Sequence, residues 1–457
     1  MKLPQRNSLL LIFLLGLLLR FSLIFYDYSW DINNHIVWAK DLWERGFTGF
    51  YEVRSSEVFA SPYPNYPPFS IVLFYIIYPI QSFIDQIAWQ INLALPLFPS
   101  KLIFFIQSRT FLAALMKLPA IFADLGLAYL IYVFSQKLKL GNQITSKLVT
   151  TFIVFNPAFF YNSSLWGQID SVPIFLALLS IYLLLYSHKH WLSSFLFTAA
   201  ILIKPTALVY LPVYIFIFLK KFGLALTFRS LTINLVTFYI PFIPFLKNFN
   251  HPLLPFQIFS EKIMAAQSLP FVTNGAFNFW VLIKGFAGMR DTMPFLFGIS
   301  YRIWGYITVG IFTALILKSF WRQTKSIDRV LKRSVITSLQ HDTVKNVFHA
   351  FFLIAFVCFL FLTKMHERYS ILPLPFLLIA ALRDKKLLKW FIILSFISLL
   401  NLYHSWPVPK FGSITDLLYL PLVTFSLSFS NLIIFFYLLK YFVKIRHANN
   451  RRSSTSL

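Results

Sequence analysis

Long apolar runs recur along the chain, separated by short segments that hold most of its charge. About 20 apolar residues are needed to cross the hydrocarbon layer of a bilayer. By that measure, spans fall at about 8–26, 110–135, 148–163, 172–187, 223–245, 293–317, 348–363, 387–402 and 415–440, with a shorter one ending at Arg383. Residues 191–219 are too long for one span and too short for two, and Lys204-Pro205 lies in their middle. The expectation is two shortened helices meeting at that break, which membrane proteins tolerate where the break lines a cavity. This predicts an all-α polytopic membrane protein of about twelve transmembrane helices, one domain over 1–457.

The segment after the first span has a different pattern. His35, Trp38 and Leu42 recur at spacings of three and four, predicting a surface helix over 33–45. Tyr63-Pro-Asn-Tyr-Pro-Pro68 is a proline-rich turn that starts a new helix at Phe69. The stretch 69–106 reads either as a pair of spans or as helices along the membrane surface. Gln81, Asp85, Gln90 and Asn92 interrupt its apolar pattern and favour juxtamembrane surface helices.

Charge orients the spans. Lys2 and Arg6 precede the first. Lys318, Arg322, Lys325, Arg329, Lys332, Arg333 and Lys345 crowd the loop 318–347, and Lys444, Arg446, Arg451 and Arg452 the tail 443–457. Cationic loops stay on the cytoplasmic side. Both termini are therefore expected in the cytoplasm of a multi-pass protein, in the plasma membrane. The segments 27–108 and 246–292 then lie on the external face. The first span has no small-residue cleavage pattern, so it is read as uncleaved.

Composition agrees: the 457 residues are 58% hydrophobic and only 12% charged, which excludes an ordinary soluble domain. The net charge of +25 belongs with cytoplasmic loops and anionic lipid, not nucleic acid. Cys358 is the single cysteine, so no intramolecular disulfide forms.

Several polar groups fall on the expected external side. Asp31 stands beside the membrane among Trp30, Asn33, Asn34 and His35, placed to act as a base on a substrate at the interface. The plainer reading is a loop acid with tryptophan anchors. Trp166-Gly-Gln-Ile-Asp170 supplies a second acid, with Gln168 and Asp170 as hydroxyl contacts or Asp170 as a helix-start acid. Lys364-Met-His-Glu-Arg-Tyr369 is the densest polar cluster between two apolar runs. Ionisable residues there are functional candidates. Arg368 and Lys364 are suited to a phosphate, as are Lys204 and Arg109; a snorkelling lysine is the alternative for Lys204. Asp124, inside a span, calls for a cation from elsewhere. Asn274-Gly-Ala-Phe-Asn-Phe-Trp280 closes the second external segment, with an aromatic belt as its plain reading. The chain has no P-loop, zinc-ligand spacing or Gly-x-Ser-x-Gly elbow. A membrane enzyme without nucleotide machinery points to a substrate activated on a lipid.

These motifs resemble those of the GT-C glycosyltransferases, which use polyprenyl-phosphate sugars. The branch concerned includes the dolichyl-phosphate-glucose glucosyltransferases and similar bacterial putative mannosyltransferases. The matching pieces are Asp31 to His35 with Trp38, Phe50-Tyr51, Tyr66-Pro-Pro68, Trp166 to Asp170, Asn278-Phe-Trp280 and His366 to Tyr369. Together they run from about residue 20 to 380. The resemblance implies Asp31 as general base, with juxtamembrane helices after it. Two departures stand out: a shorter spacing from Asp31 to His35, and Arg368 where lysine is common.

The expected activity is inverting transfer of a hexose, mannose or glucose, from a polyprenyl-phosphate donor to a lipid-linked glycan or protein acceptor on the external face. Arg368, Lys204, Arg109, His366 and Lys364 are the expected donor-phosphate contacts. His35, Trp38, Tyr66, Trp166, Gln168, Asp170, Glu367, Tyr369 and Asn278 are the expected sugar or acceptor contacts. No cofactor is expected, although Asp31 and Asp170 would share a divalent metal were they to converge. A transporter or flippase for lipid-linked sugars shares the broken helices and buried charges, and a non-catalytic scaffold is the third class.

Overall fold

The computed structural model describes residues 5–26, 29–58, 61–95, 97–138, 143–248, 251–265, 269–323 and 338–454. Lys2, Lys325, Arg329, Lys332 and Arg333 lie outside the described residues, as do the side chains of Arg6, Arg446, Arg451 and Arg452. The protein is almost wholly helical. Among the described residues, seven helices are long and apolar enough to cross a membrane: Pro68–Ala94, Arg109–Lys137, Pro205–Phe245, Tyr301–Gln323, Thr343–Phe361, Lys385–Ser405 and Pro421–Lys444. Ser8–Leu23, Ser171–Tyr186 and His190–Ile203 are shorter apolar helices. This is a multi-pass membrane protein.

The bundle is built around Ser338–Phe361, whose apolar stretch from Val347 to Phe361 is buried throughout. Tyr301–Gln323, Leu374–Ala381 and Pro421–Ser454 pack around it. The outer helices turn apolar rows away from the core: Ile303, Ile307, Ile311 and Leu315 on one, Leu224, Phe228, Leu231 and Leu235 on another. In water each such side chain would cost about 1.5–3 kcal/mol relative to burial. In lipid it costs little, and the backbone stays satisfied inside the helix.

The N-terminal helix Gln5–Leu23 is fastened by a buried ion pair. Arg20 donates to Asp124 from Nε at 3.1 Å and reaches the Val154 carbonyl at 2.8 Å. Asp124 also accepts from the hydroxyls of Ser163 at 2.7 Å and Ser171 at 2.5 Å. The cation that Asp124 called for is therefore Arg20, and the four groups tie the first helix to the segment carrying Trp166 and Asp170.

Several boundaries differ from the sequence reading. The 33–45 helix runs Trp30–Arg45, with Ser29 capping its first turn. It is no free surface helix: Ile32, His35, Ile36, Trp38 and Leu42 are all buried. The stretch 69–106 is one 27-residue helix, Pro68–Ala94, and a short one, Ser100–Gln107. At 1.5 Å per residue the first is about 40 Å long. Two of its polar interruptions, Gln81 and Asp85, serve the contact between the two helices. Gln81 donates to the carbonyls of Ile106 and Ser108, and Asp85 accepts from Gln107. The run read from 293 becomes α-helical only at Tyr301, after a short 3-10 turn at Leu296–Gly298. Before it, Asp291 holds the chain in turns, accepting two hydrogen bonds from Arg302 at 2.8 Å and one from Thr363 at 3.0 Å.

The helix break expected at Lys204-Pro205 is present. Lys204 is extended (φ −154°, ψ 130°) between His190–Ile203 and the 3-10 turn Pro205–Tyr210. A second device joins distant segments. Thr273–Asn274 and Met365–His366 form a two-stranded parallel sheet, with Thr273 opposite Met365 and Asn274 opposite His366. It fixes the segment around Thr273 to the polar cluster at 364–369.

Candidate active site

Asp31 sits in the first turn of Trp30–Arg45, where a helix N-terminus favours a carboxylate. Opposite it, the chain after Pro157 widens into a π-helical turn, Tyr161–Trp166, and reverses at Gly167. Gly167 has φ 85°, and a Cβ there would stand 2.4 Å from Ile32 Cγ1. Only glycine lets the Trp-Gly-Gln-Ile-Asp segment press against the Asp31 helix this closely. The result is a direct contact: Trp166 donates from its indole to Asp31 Oδ2 at 3.3 Å, while Ser29 donates to the Trp166 carbonyl at 2.8 Å.

Lys204 and Arg368 arrive from the helix break and from the 3-10 turn Glu367–Ile371. Both converge on Asp170. Lys204 Nζ lies 2.6 Å from Asp170 Oδ1, and Arg368 Nε 4.0 Å from Asp170 Oδ2. Arg368 Nη2 is 3.9 Å from Asp31 Oδ1, and its Nη1 donates to Glu367 Oε1 at 2.9 Å. The guanidinium thus faces three carboxylates. Its side-on fork, Nε and Nη2, meets two of them at distances too long for a hydrogen bond. Gln168 stands behind, with Oε1 3.4 Å from Lys204 Nζ. Tyr66 and Tyr369 present their rings to Lys204 at 5.6 and 5.5 Å, within reach of a cation–π contact.

A cavity of about 1240 Å³ opens onto these groups. Asp31, His35, Trp38, Tyr66, Trp166, Lys204, His366, Glu367, Arg368 and Tyr369 line it, ten of the residues picked from the sequence. Much of the remaining lining is apolar, including Val209, Leu282, Ala355, Phe359, Leu362 and Phe425. Gln168 and Asp170 form a second layer, acting on the cavity through Lys204 and Arg368.

Three sequence candidates lie elsewhere. Arg109 is exposed and donates to Asn33 Oδ1 at 2.5 Å, away from the lining. Lys364 has φ 61°, spends its N–H on the carbonyls of Phe271 and Val272, and feels the charges of Asp291 and Arg302 away from the cavity lining. Asn278 is fully buried and caps Phe279–Lys284 by accepting from the Trp280 N–H at 3.1 Å. Conversely, Asn34, Asn65, Asn274, His404 and Ser405 line the cavity without having been singled out as site residues. Asn34 had a signal, its place within the Asp31 motif. Asn65 and Asn274 likewise lie in the Tyr63–Pro68 and Asn274–Trp280 motifs, whereas His404 and Ser405 sit at the end of Lys385–Ser405 with no pattern to mark them.

Electrostatics sort the titratable groups. Burial pushes the Asp31 carboxyl up, but Arg368 foremost, with the other cationic neighbours, outweighs it and holds the group below its ordinary value. Asp31 is anionic at neutral pH. Burial pulls His35 down to about 3, so it is neutral, stacked on Phe74 at 4.2 Å. Neither of its ring nitrogens has a hydrogen-bond partner among the described residues. His366 is also lowered, by burial and then by Arg368. Burial raises Glu367, and His366 with Arg368 more than reverses that. Asp31 and Asp170 do face a common point, but Arg368 occupies it. Among the described residues no three His, Cys, Asp or Glu side chains are grouped to hold a metal.

The arrangement can do two things chemically. An ionised carboxylate steadied by an indole can take a proton, and a guanidinium with an unsaturated fork can hold an oxyanion. No protein-family model matches the chain, and no curated protein matches it.

Proposed function

We propose that the protein is an inverting glycosyltransferase that moves a hexose, mannose or glucose, from a polyprenyl-phosphate donor to a hydroxyl of a lipid-linked glycan or protein. One observation carries this reading. One cavity is lined both by a carboxylate with an incompletely bonded arginine fork and by an extensive apolar groove. The groove suits a polyprenyl tail, the fork its phosphate, and the space between them a sugar.

In this mechanism Asp31 takes the proton of the acceptor hydroxyl. The oxygen's electron pair forms a bond to the anomeric carbon. The bond from that carbon to the phosphate oxygen breaks, and its pair leaves on the phosphate. The growing charge is met by Arg368, with Lys204 next to it, and preorganised cations favour that state over the ground state. Trp166 keeps one Asp31 oxygen occupied, so the other faces the substrate. The finer topology belongs to the same reading: about twelve spans, both termini cytoplasmic, and the site on the external face of the plasma membrane. The family resemblance in the motif order from Asp31 to Tyr369 supports it.

The test is transfer from a synthetic short-chain polyprenyl-phosphate hexose by the purified protein in nanodiscs. Wild-type protein should release polyprenyl phosphate in an acceptor-dependent way. Asp31→Asn should lower transfer by about two orders of magnitude or more, the range for loss of a general base, while still binding donor. Transfer at a near wild-type rate in Asp31→Asn removes Asp31 from the mechanism. A transporter for lipid-linked sugars would use the same groove and the break at Lys204. It would move the donor across vesicle membranes without releasing polyprenyl phosphate.

A further inference from the structure

The wall of the cavity beyond Glu367 is built from segments that the transfer mechanism above does not use. Asn401, on Lys385–Ser405, donates to the Gly275 carbonyl at 2.6 Å and accepts from the Phe277 N–H at 3.0 Å. Ser405 lies one turn further along that helix and is therefore held against Gly275. Gly275 has φ 78°, and a Cβ there would be 2.5 Å from Ser405 Oγ and 3.1 Å from Glu367 Oε2. The missing side chain leaves a small cradle with a hydroxyl and a carboxylate oxygen on its rim.

Unsatisfied polar atoms collect at this wall. Asn274 Oδ1, Ser405 Oγ and His404 Nδ1 are buried without a hydrogen-bond partner among the described residues, and all three residues line the cavity. The Asn274 amide is oriented by its own Nδ2, which donates to the Leu269 carbonyl at 3.0 Å. Its oxygen is left as a pure acceptor. Buried polar atoms are normally paired, and leaving one unpaired costs about 1–3 kcal/mol. Three on one wall mark a place where a ligand completes the bonding.

We infer that Asn274, His404, Ser405 and Glu367 form a second subsite of the cavity, which takes the hydroxyls of a hexose ring. The chemistry selects a neutral polyol over an anion. Asn274 Oδ1 and Glu367 Oε2 are acceptors, so they repel a phosphate and welcome O–H donors. Ser405 gives or takes a hydrogen bond, matching a sugar hydroxyl in either sense. Phe286, stacked on His404 with ring centres 5.0 Å apart, offers an apolar face beside them for the sugar's C–H side. Arg368 joins the two subsites, because the Glu367 oxygen that it does not bind is the one on the cradle. The hexose is either the donor's or a sugar of the acceptor glycan; its hydroxyl chemistry is common to both. This inference rests on the proposed function and assigns residues to its sugar.

The experiment measures binding to the full-length protein in nanodiscs for wild type, Ser405→Ala and Asn274→Ala. The probes are a short-chain polyprenyl-phosphate hexose, the same polyprenyl phosphate without sugar, and a free oligosaccharide. Each variant should bind the hexosyl phosphate about five- to tenfold more weakly, the loss of one neutral hydrogen bond. Binding of the sugar-free phosphate should stay unchanged, which also shows that the variants are folded. Loss confined to the oligosaccharide assigns the subsite to the acceptor's sugar. Equal affinity of wild type and both variants for every probe overturns the subsite and leaves the proposed function standing. Failure of the wild type to bind either phosphate removes both.

Discussion

Replacing Arg368 tests the donor site most directly. Its Nη1 is committed to Glu367, while Nε and Nη2 face Asp170 and Asp31 at 4.0 and 3.9 Å without hydrogen bonds. A phosphate accepting from both would gain two charge-assisted bonds, each worth about 1.5–3 kcal/mol. Lys204 and water recover part of this when the arginine is removed. Arg368→Ala should therefore cost about 3 kcal/mol of donor binding, on the order of a hundredfold in Kd. Arg368→Lys keeps the charge but supplies no parallel pair of donors, so it should recover about half of that energy and remain about tenfold weak. Asp31→Asn removes a negative charge beside the guanidinium and should leave donor affinity equal or slightly higher. Titration calorimetry with a short-chain polyprenyl-phosphate hexose on the three variants reads these differences. Arg368→Ala also strands the buried Glu367, so each variant's thermal midpoint is recorded, and Arg368→Lys carries the comparison if the alanine variant is unstable. Unaltered affinity in a folded Arg368→Ala or Arg368→Lys would refute a phosphate held by this fork.

Three other expectations follow from the same structure. In a Cys358→Ser background, single cysteines in 50–58 and 364–370 should react with an impermeant thiol reagent from outside, and those in 322–333 only from inside; the reverse pattern overturns the orientation. Arg20→Ala or Asp124→Ala leaves one buried charge unpaired and should destabilise the protein by about 3–5 kcal/mol, read as a lower thermal midpoint in detergent; an unchanged midpoint would show that the pair does not hold the first helix. Burial holds His35 down to about 3 in the folded state against about 6.5 unfolded, so the unfolded state binds the extra proton, and His35 should contribute about 1.4 kcal/mol per pH unit to the loss of stability on acidification below 6.5. His35→Gln should make the slope shallower by about that amount, and an identical slope in both proteins would rule out a contribution from His35. Asp31 behaves oppositely in kind: its ion pair with Arg368 is fully present above the ordinary value of 3.8 and is lost only as pH falls through a lower one.

The sequence by itself determined what depends on neighbours along the chain. Apolar runs announced the membrane helices, because crossing hydrocarbon demands length and few charges whatever the packing. Pro68 at a helix start and the break at Lys204-Pro205 were legible because proline acts on its own backbone. Polar clusters between such runs, Asp31, Trp166 to Asp170 and His366 to Tyr369, stood out for the same reason. Convergence was decided only by the tertiary structure. These helices are apolar all round, so their sequences do not say which face turns inward. Nothing local shows that Arg368 meets Asp31 and Asp170, or that Asp124 is spent on Arg20. Nor does it show that Asn278 caps a helix, that Lys364 lies away from the cavity lining, or that Ser405 stands beside Gly275. A lone serine or asparagine carries no sequence pattern. Its role appears only when packing has removed every partner but a ligand.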